Sequence, residues 1–462
     1  MNRKLLKSVF IIIGLGLPFL LVSIISRWHG GDVQTFIVWS NYWSNSVKDM
    51  YVNCGNCNYP FFGFLFSAGL ISWIQKLTTI HGDELHQAFR IVLSIGDGII
   101  FLLNVILLRI LKVKHAILIG LIITVLPSTW AGSALWGQID GIVQIFMLLS
   151  VICYLVSMEI IVLDTKKERV TTSLTYFFLG GVMLASGVLT KQLFIFSVPV
   201  LSVIWLSICF LLLKKYGLSA FLKAIVITFA TLIIFLLPDL YLNIPENYYG
   251  HLHYTTAISG HWNKIAGNGF NIWVFFESDI WSSSTKSIYG IFSPLRIGLI
   301  LFSIFMLIIL STLILKVYRF IMKNNSDPTR FSHIAALFIF SIGLSHLGFN
   351  VLITGTHERY MYHGYPFLLI AIFYFWLSEA KLKLRWVVLV AVSALAYGVY
   401  VLSIINIKLS LFFPFQNLYF QAAMHLFLLV FLLAFWLDLT LRPLDSKINL
   451  NKPFPPPPPK KG

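Results

Sequence analysis

Long apolar runs separated by short basic clusters are the feature that most restricts how this chain can fold. A helix needs about twenty apolar residues to cross the hydrocarbon core of a bilayer, and the chain supplies about twelve such runs. Hydrophobic residues make up 58% of the sequence and charged residues 11%, whereas soluble proteins are about half apolar and about a quarter charged. We therefore predict an all-α polytopic membrane protein with about twelve transmembrane helices.

The predicted transmembrane helices follow the apolar runs. They cover residues 5–25, 91–110, 116–130, 139–156, 174–189, 193–213, 224–242, 295–315, 331–353, 365–377, 386–405 and 422–439. A further apolar segment, residues 60–77, is placed by charge. If it does not span, every basic cluster falls on the same side as Arg3 and Lys4, as the positive-inside rule requires. We therefore predict that 60–77 is a non-spanning helix in a first extracytoplasmic loop, residues 27–90.

The same distribution of charge explains the net charge of +16 without a nucleic-acid partner.

The apolar runs and the loops between them divide the chain into four segments. We predict a catalytic transmembrane module over residues 1–242, a long extracytoplasmic loop over 243–294, a second transmembrane module over 295–440, and a disordered, proline-rich cytoplasmic tail over 441–462. The first apolar run lacks a small-x-small cleavage site and is long enough to span, so we expect it to be a retained helix.

The four cysteines limit the redox chemistry and the metal binding that the chain can support. Cys54 and Cys57 form a C-x2-C pair in the first loop, but a second pair at zinc-site spacing is missing, which disfavours a structural zinc. A local disulfide and two free thiols remain as alternatives. Cys153 and Cys209 fall inside apolar runs and are expected to be packing residues.

Asp32 is the first acidic residue of the chain and follows Gly30-Gly31 at the outer end of the first run. A carboxylate in this place can act as a general base that accepts a proton from an attacking hydroxyl. The two glycines would allow a bulky ligand to approach the backbone closely. The alternative is a hydrated carboxylate at a helix end.

Several other polar residues gather in the predicted outer segments. Trp136 and Gln138 can stack on and hydrogen-bond a sugar, although an aromatic belt with Asp140 as a helix cap explains the same pattern equally well. Lys191-Gln192 interrupts two apolar runs on the side where bases are rare. This position favours binding of an anionic group over a lysine that reaches back to the interface.

Two further motifs lie later in the chain. Asn268, Asn271 and Trp273 form a pattern that also suits a turn followed by an interfacial helix. His357-Glu358-Arg359 places three ionisable residues in a row at a membrane face, which is costly and usually functional. Arginine offers a planar fork for phosphate, and a Glu–Arg ion pair is the competing explanation. We find no cluster of ligands that suggests a metal site.

As an ordered set, these motifs resemble the GT-C superfamily of glycosyltransferases that use lipid-phosphate sugars. The similar branches are bacterial mannosyltransferase-like proteins and dolichyl-phosphate-glucose glucosyltransferases. The resemblance extends over roughly residues 5–380 and rests on Gly31-Asp32 with Trp39, Asn58-Tyr59-Pro60, Trp136-Gly137-Gln138-Ile139-Asp140, Lys191-Gln192, Asn268-x-x-Asn271-x-Trp273 and His357-Glu358-Arg359-Tyr360. Related sequences often carry an acidic residue before Tyr-Pro, where this chain has Asn58.

The resemblance implies a GT-C-like fold and an inverting transfer of a hexose, glucose or mannose, from a polyprenyl phosphate. It implies that Asp32 is the catalytic base, that Lys191, His357 and Arg359 face the donor phosphate, and that Trp136 and Gln138 lie near the sugar or acceptor. The expected partners are a lipid-phosphate sugar, a glycan or lipid-linked acceptor and membrane lipids, with no metal or other cofactor.

The expected location is a bacterial inner membrane, or the ER membrane in a eukaryote, with an extracytoplasmic active site. The alternative function is a transporter or flippase of lipid-linked saccharides. Transporters place ionisable residues near the middle of the membrane. The predicted spans here carry few charges, Asp97 and Asp239 among them, so the sequence favours an enzyme.

Overall fold

The computed structural model describes most of the chain. The described residues are 3–25, 31–54, 57–164, 168–242, 263–287, 292–323, 327–378, 384–405, 407 and 410–442. The predicted loop over 243–294 is therefore described from residue 263 onward, except for 288–291. The predicted tail lies outside the described residues from 443 onward, as does Gly30.

The described part of the chain is built almost entirely from α-helices. They are α1 (Arg3–Ile25), α2 (Gly31–Asn45), α3 (Asp49–Val52), α4 (Phe61–Thr78), α5 (Gly82–Ile110), α6 (Ala116–Val125), α7 (Asp140–Leu163), α8 (Val170–Val188), α9 (Val198–Tyr216), α10 (Leu218–Leu242), α11 (Pro294–Met322), α12 (Pro328–Leu352), α13 (Tyr365–Ser378), α14 (Leu384–Ile404) and α15 (Leu418–Leu441). Short 3-10 turns cover Pro127–Thr129, Gln192–Ser197, Ile272–Phe275, Tyr360–His363 and Ser410–Gln416. Two short strands, β1 (Ala266–Gly267) and β2 (Thr356–His357), pair in parallel.

Twelve helices of the described chain are long and apolar enough to cross a membrane. The predicted class, an all-α polytopic membrane protein with about twelve such helices, is therefore confirmed. The set of twelve helices differs from the predicted set at two places. By length and composition, Phe61–Thr78 is among the twelve, whereas Ala116–Val125 is shorter than the others.

The two ends of α4 nevertheless lie on one side of the helical bundle. Its first turn donates backbone hydrogen bonds to the carbonyl of Leu189, two residues before Lys191, which pairs with Asp140 at the start of α7. Its last turn is followed closely by α5. Lys112 comes just after the far end of α5, and its charge acts on Glu159 near the other end of α7. Because α4 starts and ends on the Asp140 side, it is a non-spanning helix within the first loop, as charge predicted.

The helix predicted over residues 116–130 ends earlier than expected and is followed by irregular structure. The predicted end of this helix was therefore wrong. Helix α6 stops at Val125 because Pro127 disfavours helical geometry at Leu126, which is extended with φ −67° and ψ 129°. The chain then continues to Asp140 through a 3-10 turn and a buried segment without regular helix. This break delivers Trp136 and Gln138 to the interior.

Helix α12 forms the centre of the bundle, since every residue from Phe331 to Leu352 is buried. Burial on all sides explains why apolar residues occur around the whole helix instead of on one stripe, and buried polar side chains such as His346 and Asn350 lie among them. Its end on the Asp140 side leads into the segment that carries β2 and the His357-Glu358-Arg359 motif. Among the described helices long enough to span, the most buried one therefore positions this motif.

Cys54 and Cys57 form a disulfide. Of the two alternatives that the sequence left open, the structure contains the bridge. Both cysteines are buried and directly precede Tyr59, which packs edge-on against Trp39 with ring centroids 5.2 Å apart. The bridge thus closes the loop from which Tyr59 enters the candidate site.

Candidate active site

Asp32 lies in the first turn of α2, at the end of the helix where the dipole favours a negative charge. Its Oδ2 accepts a hydrogen bond of 2.5 Å from the Trp136 indole and lies 3.8 Å from Nη1 of Arg359. Burial alone would raise the pKa of Asp32, but the Arg359 charge and hydrogen bonds from Gln138 and Trp136 lower it below its ordinary value. The side chain keeps 33% of its surface exposed. Asp32 is thus an ionised carboxylate that a ligand can reach.

A left-handed turn at Gly137 brings both neighbours of this glycine to Asp32. Gly137 has φ +82°, and a Cβ there would lie 2.2 Å from Cγ2 of Val33, the residue after Asp32. Glycine is the residue that meets both demands, because it tolerates positive φ and has no side chain. The turn therefore fixes Trp136 and Gln138 against the start of α2.

Gln138 is buried beneath Asp32 and accepts two hydrogen bonds on its side-chain oxygen. The Tyr59 hydroxyl donates to Oε1 at 2.9 Å, and Nζ of Lys191 donates to the same atom at 3.4 Å. The Gln138 side chain also helps to lower the pKa of Asp32. Gln138 consequently links the accessible carboxylate to the buried groups below it.

Lys191 and Asp140 form a buried ion pair in the next layer. Nζ of Lys191 lies 2.8 Å from Oδ2 and 3.0 Å from Oδ1 of Asp140, and both side chains are almost fully buried. Nε2 of His363 lies 3.0 Å from Oδ1 of the same carboxylate, and its Nδ1 lies 3.2 Å from Oε1 of Gln144. Burial lowers the pKa of Lys191, and the Asp140 charge opposes this shift. The Lys191 ammonium is therefore already balanced by a carboxylate.

The side chains described above form one cluster with Glu358 and Arg359. Arg359 connects the exposed part of this cluster to its buried part. Its Nη1 donates to Oε1 of Glu358 at 2.9 Å, and its guanidinium lies 5.5 Å from the centre of the Trp136 ring. The pKa of Glu358 is raised by burial, and the Arg359 charge opposes this shift. Arg359 thus faces two carboxylates, since Asp32 lies on its other side.

The β1–β2 pair holds this arginine segment in place. Ala266 pairs with Thr356 and Gly267 with His357, so the loop that precedes α11 is bonded to the strand leading into Glu358. Nδ1 of His357 lies 3.9 Å from Oε2 of Glu358, and the His357 side chain is 20% exposed. His357 is therefore partly accessible near the same group of side chains.

Four predicted site residues lie in the scaffold around this cluster. The buried Asn271 donates to the Ile265 carbonyl at 2.8 Å, and the Trp273 indole donates to the Leu352 carbonyl at 2.8 Å. The Asn268 carbonyl accepts a hydrogen bond from the Tyr400 hydroxyl, and Gln192 donates to the Asn58 carbonyl. The Asn271 bond lies within one loop, and the other three each tie a loop to a helix or to another segment. None of them involves Asp32.

Two members of the cluster had no role assigned from sequence. Tyr59 belonged to a quoted motif, but its hydroxyl was not predicted to meet Gln138 from a loop so distant in the chain. His363 follows the His357-Glu358-Arg359 motif by one helical turn, and that spacing was the available signal. Within the described ranges, no group of three or more His, Cys, Asp and Glu side chains could hold a metal ion.

No protein-family model matches the chain, and no curated protein matches its sequence. Among solved structures, the chain is similar to the oligosaccharyltransferase of Archaeoglobus fulgidus, crystallised with a tethered acceptor peptide that contains the NVT sequon. The two chains are 13% identical, and the TM-score is 0.43. The match covers 95% of this chain and 55% of the other, so this chain spans about half the length of that enzyme.

Proposed function

We propose that this protein is an inverting GT-C-type glycosyltransferase. Its donor is a hexose, glucose or mannose, carried on a polyprenyl phosphate that arrives laterally from the membrane. Its acceptor is a glycan or a lipid-linked saccharide. The reaction takes place on the extracytoplasmic face of a bacterial inner membrane, or on the lumenal face of the ER membrane in a eukaryote, and needs no metal.

The observation that carries the proposal is the state of Asp32. The other two carboxylates of the cluster, Asp140 and Glu358, have side chains that are 0% and 3% exposed, whereas Asp32 is 33% exposed. Its lowered pKa keeps it ionised near neutral pH. The hydrogen-bond donors around it also hold the carboxylate in one orientation. An accessible, ionised and oriented carboxylate is what a general base requires.

The cationic groups beside Asp32 suit a phosphate leaving group. Arg359 offers a guanidinium at the mouth of the cluster, where a planar fork can hold two phosphate oxygens. His357 is partly exposed nearby and supplies a second donor. Lys191 lies deeper, and its charge is shared with Asp140, so in this proposal it stabilises the phosphate through space more than by direct contact.

The transfer proceeds by one displacement. The acceptor hydroxyl loses its proton to the Asp32 carboxylate while its oxygen forms a bond to the anomeric carbon. The bond between that carbon and the phosphate oxygen breaks, and the lipid phosphate leaves with the electron pair. Arg359 and His357 stabilise the negative charge that develops on the phosphate.

The test uses the purified full-length protein in detergent with a panel of polyprenyl-phosphate hexoses and candidate acceptor glycans. Release of lipid phosphate is followed for wild type, Asp32→Asn and the matched control Asp83→Asn, an exposed acid in the first turn of α5. We expect one donor to be consumed, Asp32→Asn to lose roughly 10²- to 10⁴-fold in turnover while still binding donor, and the control to remain active.

Two outcomes contradict the proposal. If Asp32→Asn turns over donor at the wild-type rate, Asp32 is not the base, and Asp140 is the next carboxylate to examine. If no donor of the panel is consumed but lipid-linked sugar crosses liposomes that contain the protein, the chain is a transporter instead of an enzyme.

A further inference from the structure

The imidazole of His363 contacts two side chains from successive turns of α7. Its Nε2 lies 3.0 Å from Oδ1 of Asp140, and its Nδ1 lies 3.2 Å from Oε1 of Gln144. Asp140 and Gln144 are four residues apart, so they share one face of the helix. All three side chains are fully buried. His363 therefore ties the turn Tyr360–His363 to the start of α7 at two points.

The partner of Nε2 determines that this nitrogen carries a hydrogen. Asp140 pairs with the Lys191 ammonium and is ionised, and an ionised carboxylate can only accept hydrogen bonds. Nδ1 is less constrained, because either end of the Gln144 amide can face it: the oxygen accepts from a protonated Nδ1, and the NH2 group donates to a bare one. The donation from Nε2 to Asp140 is common to both arrangements.

The Lys191 ammonium does not by itself fix the plane of the Asp140 carboxylate. Its Nζ lies 2.8 Å from Oδ2 and 3.0 Å from Oδ1, at the end of a side chain with several rotatable bonds. Rotation of an aspartate carboxylate has a broad energy profile, so the two groups can turn together. The His363 ring approaches Oδ1 from another segment. It therefore selects the rotation at which both oxygens face Lys191.

The ring of His363 is held in turn by buried neighbours. The ring of His346, from α12, has its centroid 5.8 Å away, and the Tyr362 ring packs edge-on at 5.3 Å. The Tyr362 hydroxyl donates to Oδ1 of Asp97 in α5 at 3.2 Å. Contacts from α7, α12 and the 3-10 turn thus fix the direction in which Nε2 points.

We propose that His363 is a positioning residue: it donates its Nε2 hydrogen to Asp140 and thereby holds the Lys191 ammonium in place below Asp32. This inference rests on the proposed function, in which the charge of Lys191 stabilises the leaving phosphate. A turned carboxylate would also draw Nζ of Lys191 away from Oε1 of Gln138, which it approaches at 3.4 Å.

Two amides of different length distinguish the two ring nitrogens. A glutamine places its NH2 group near the position of Nε2, whereas an asparagine places it near Nδ1. His363→Gln should keep the bond to Asp140 and release lipid phosphate within about twofold of the wild-type rate. His363→Asn and His363→Leu lose that bond, and each should lower kcat about tenfold. The purified full-length proteins are compared in detergent with the donor that wild type consumes.

His425→Leu is the matched control, because it removes another fully buried histidine. His425 bonds to the Tyr365 hydroxyl and the Gln421 carbonyl, so its loss should lower the melting temperature without lowering kcat. If all three His363 variants lose release in step with their melting temperatures, His363 only supports the fold and the inference is wrong. Activity kept in His363→Asn but lost in His363→Gln would also overturn it, since the functional contact would then be Gln144.

A second readout needs no substrate. Nitrogen-15 NMR of wild type with ring-labelled histidine reports which nitrogen of His363 carries hydrogen, and the signal is identified by its loss in His363→Gln. We expect a hydrogen on Nε2, and a ring with hydrogen on Nδ1 alone would contradict the inference. If wild type releases no lipid phosphate from any donor, the proposed function fails, while the NMR signal still decides whether His363 donates to Asp140.

Discussion

The guanidinium of Arg359 lies 3.8 Å from the carboxylate of Asp32, although the two residues are far apart in the chain. Arg359 also donates to Glu358, so one cation serves two acids. In the proposed reaction, a donor phosphate would compete with Asp32 for this guanidinium. A base that loses its cationic neighbour as the phosphate binds becomes a better proton acceptor.

Replacing Arg359 should therefore change the pH profile as well as the rate. In Arg359→Met, the attraction that lowers the pKa of Asp32 is lost, and the acid then binds a proton at a higher pH. Activity in acid should fall off at a higher pH than in wild type, and the KM for donor should rise because a phosphate ligand is missing. Lipid-phosphate release measured across pH reports both effects.

Arg359→Lys is the matched variant for this experiment. It keeps the positive charge but loses the fork of the guanidinium. The pH at which its activity falls off in acid should stay near that of wild type, while its KM for the donor rises. An equal upward shift in both variants would mean that charge on residue 359 does not control Asp32.

The Lys191–Asp140 pair should behave as a buried ion pair in a stability cycle. Lys191→Met leaves the Asp140 carboxylate buried without its cation, which costs about 3–5 kcal/mol. Asp140→Leu leaves the ammonium uncompensated at a similar cost. The double variant should melt at a higher temperature than either single variant, because no unpaired charge remains. Thermal unfolding in detergent measures all four proteins. Additive losses would contradict the pairing.

Gly137→Ala should disturb the site more than its small size suggests. The added Cβ would lie 2.2 Å from Cγ2 of Val33, and the residue would have to keep φ +82°. We expect a strong loss of lipid-phosphate release and a lower melting temperature. Gly16→Ala is the control, since nothing lies within 4 Å of a Cβ at that position. Wild-type activity in Gly137→Ala would show that the turn does not orient Trp136 and Gln138.

Asn271→Ala tests the scaffold around the cluster. The Asn271 side chain donates to the Ile265 carbonyl and to the Thr356 hydroxyl, and it accepts from the Trp273 amide. Removing these buried contacts should cost about 1–3 kcal/mol of stability. The pH at which lipid-phosphate release falls off in acid should not change. A shift of that pH without a loss of melting temperature would instead place Asn271 in direct contact with the reacting groups.

The hydropathy pattern was sufficient for the fold class, because a helix that crosses a bilayer needs a long apolar run wherever it occurs. Charge alone predicted that the 60–77 segment does not span the membrane, and the structure agrees because the two ends of this helix lie on the same side of the bundle. Local rules failed at 116–130, where Pro127 ends the helix early. The proline was visible in the sequence, but the apolar run around it concealed the effect.

The tertiary structure decided which polar residues meet. The sequence by itself determined that Asp32, Lys191 and Arg359 are costly to place in or near a membrane and therefore need partners. It did not determine the partners, because Tyr59, Gln138 and His363 reach the cluster from segments that are far apart along the chain. Contacts over such separations depend on how the helices pack, and packing follows from the summed fit of many apolar side chains. No short motif carries that information.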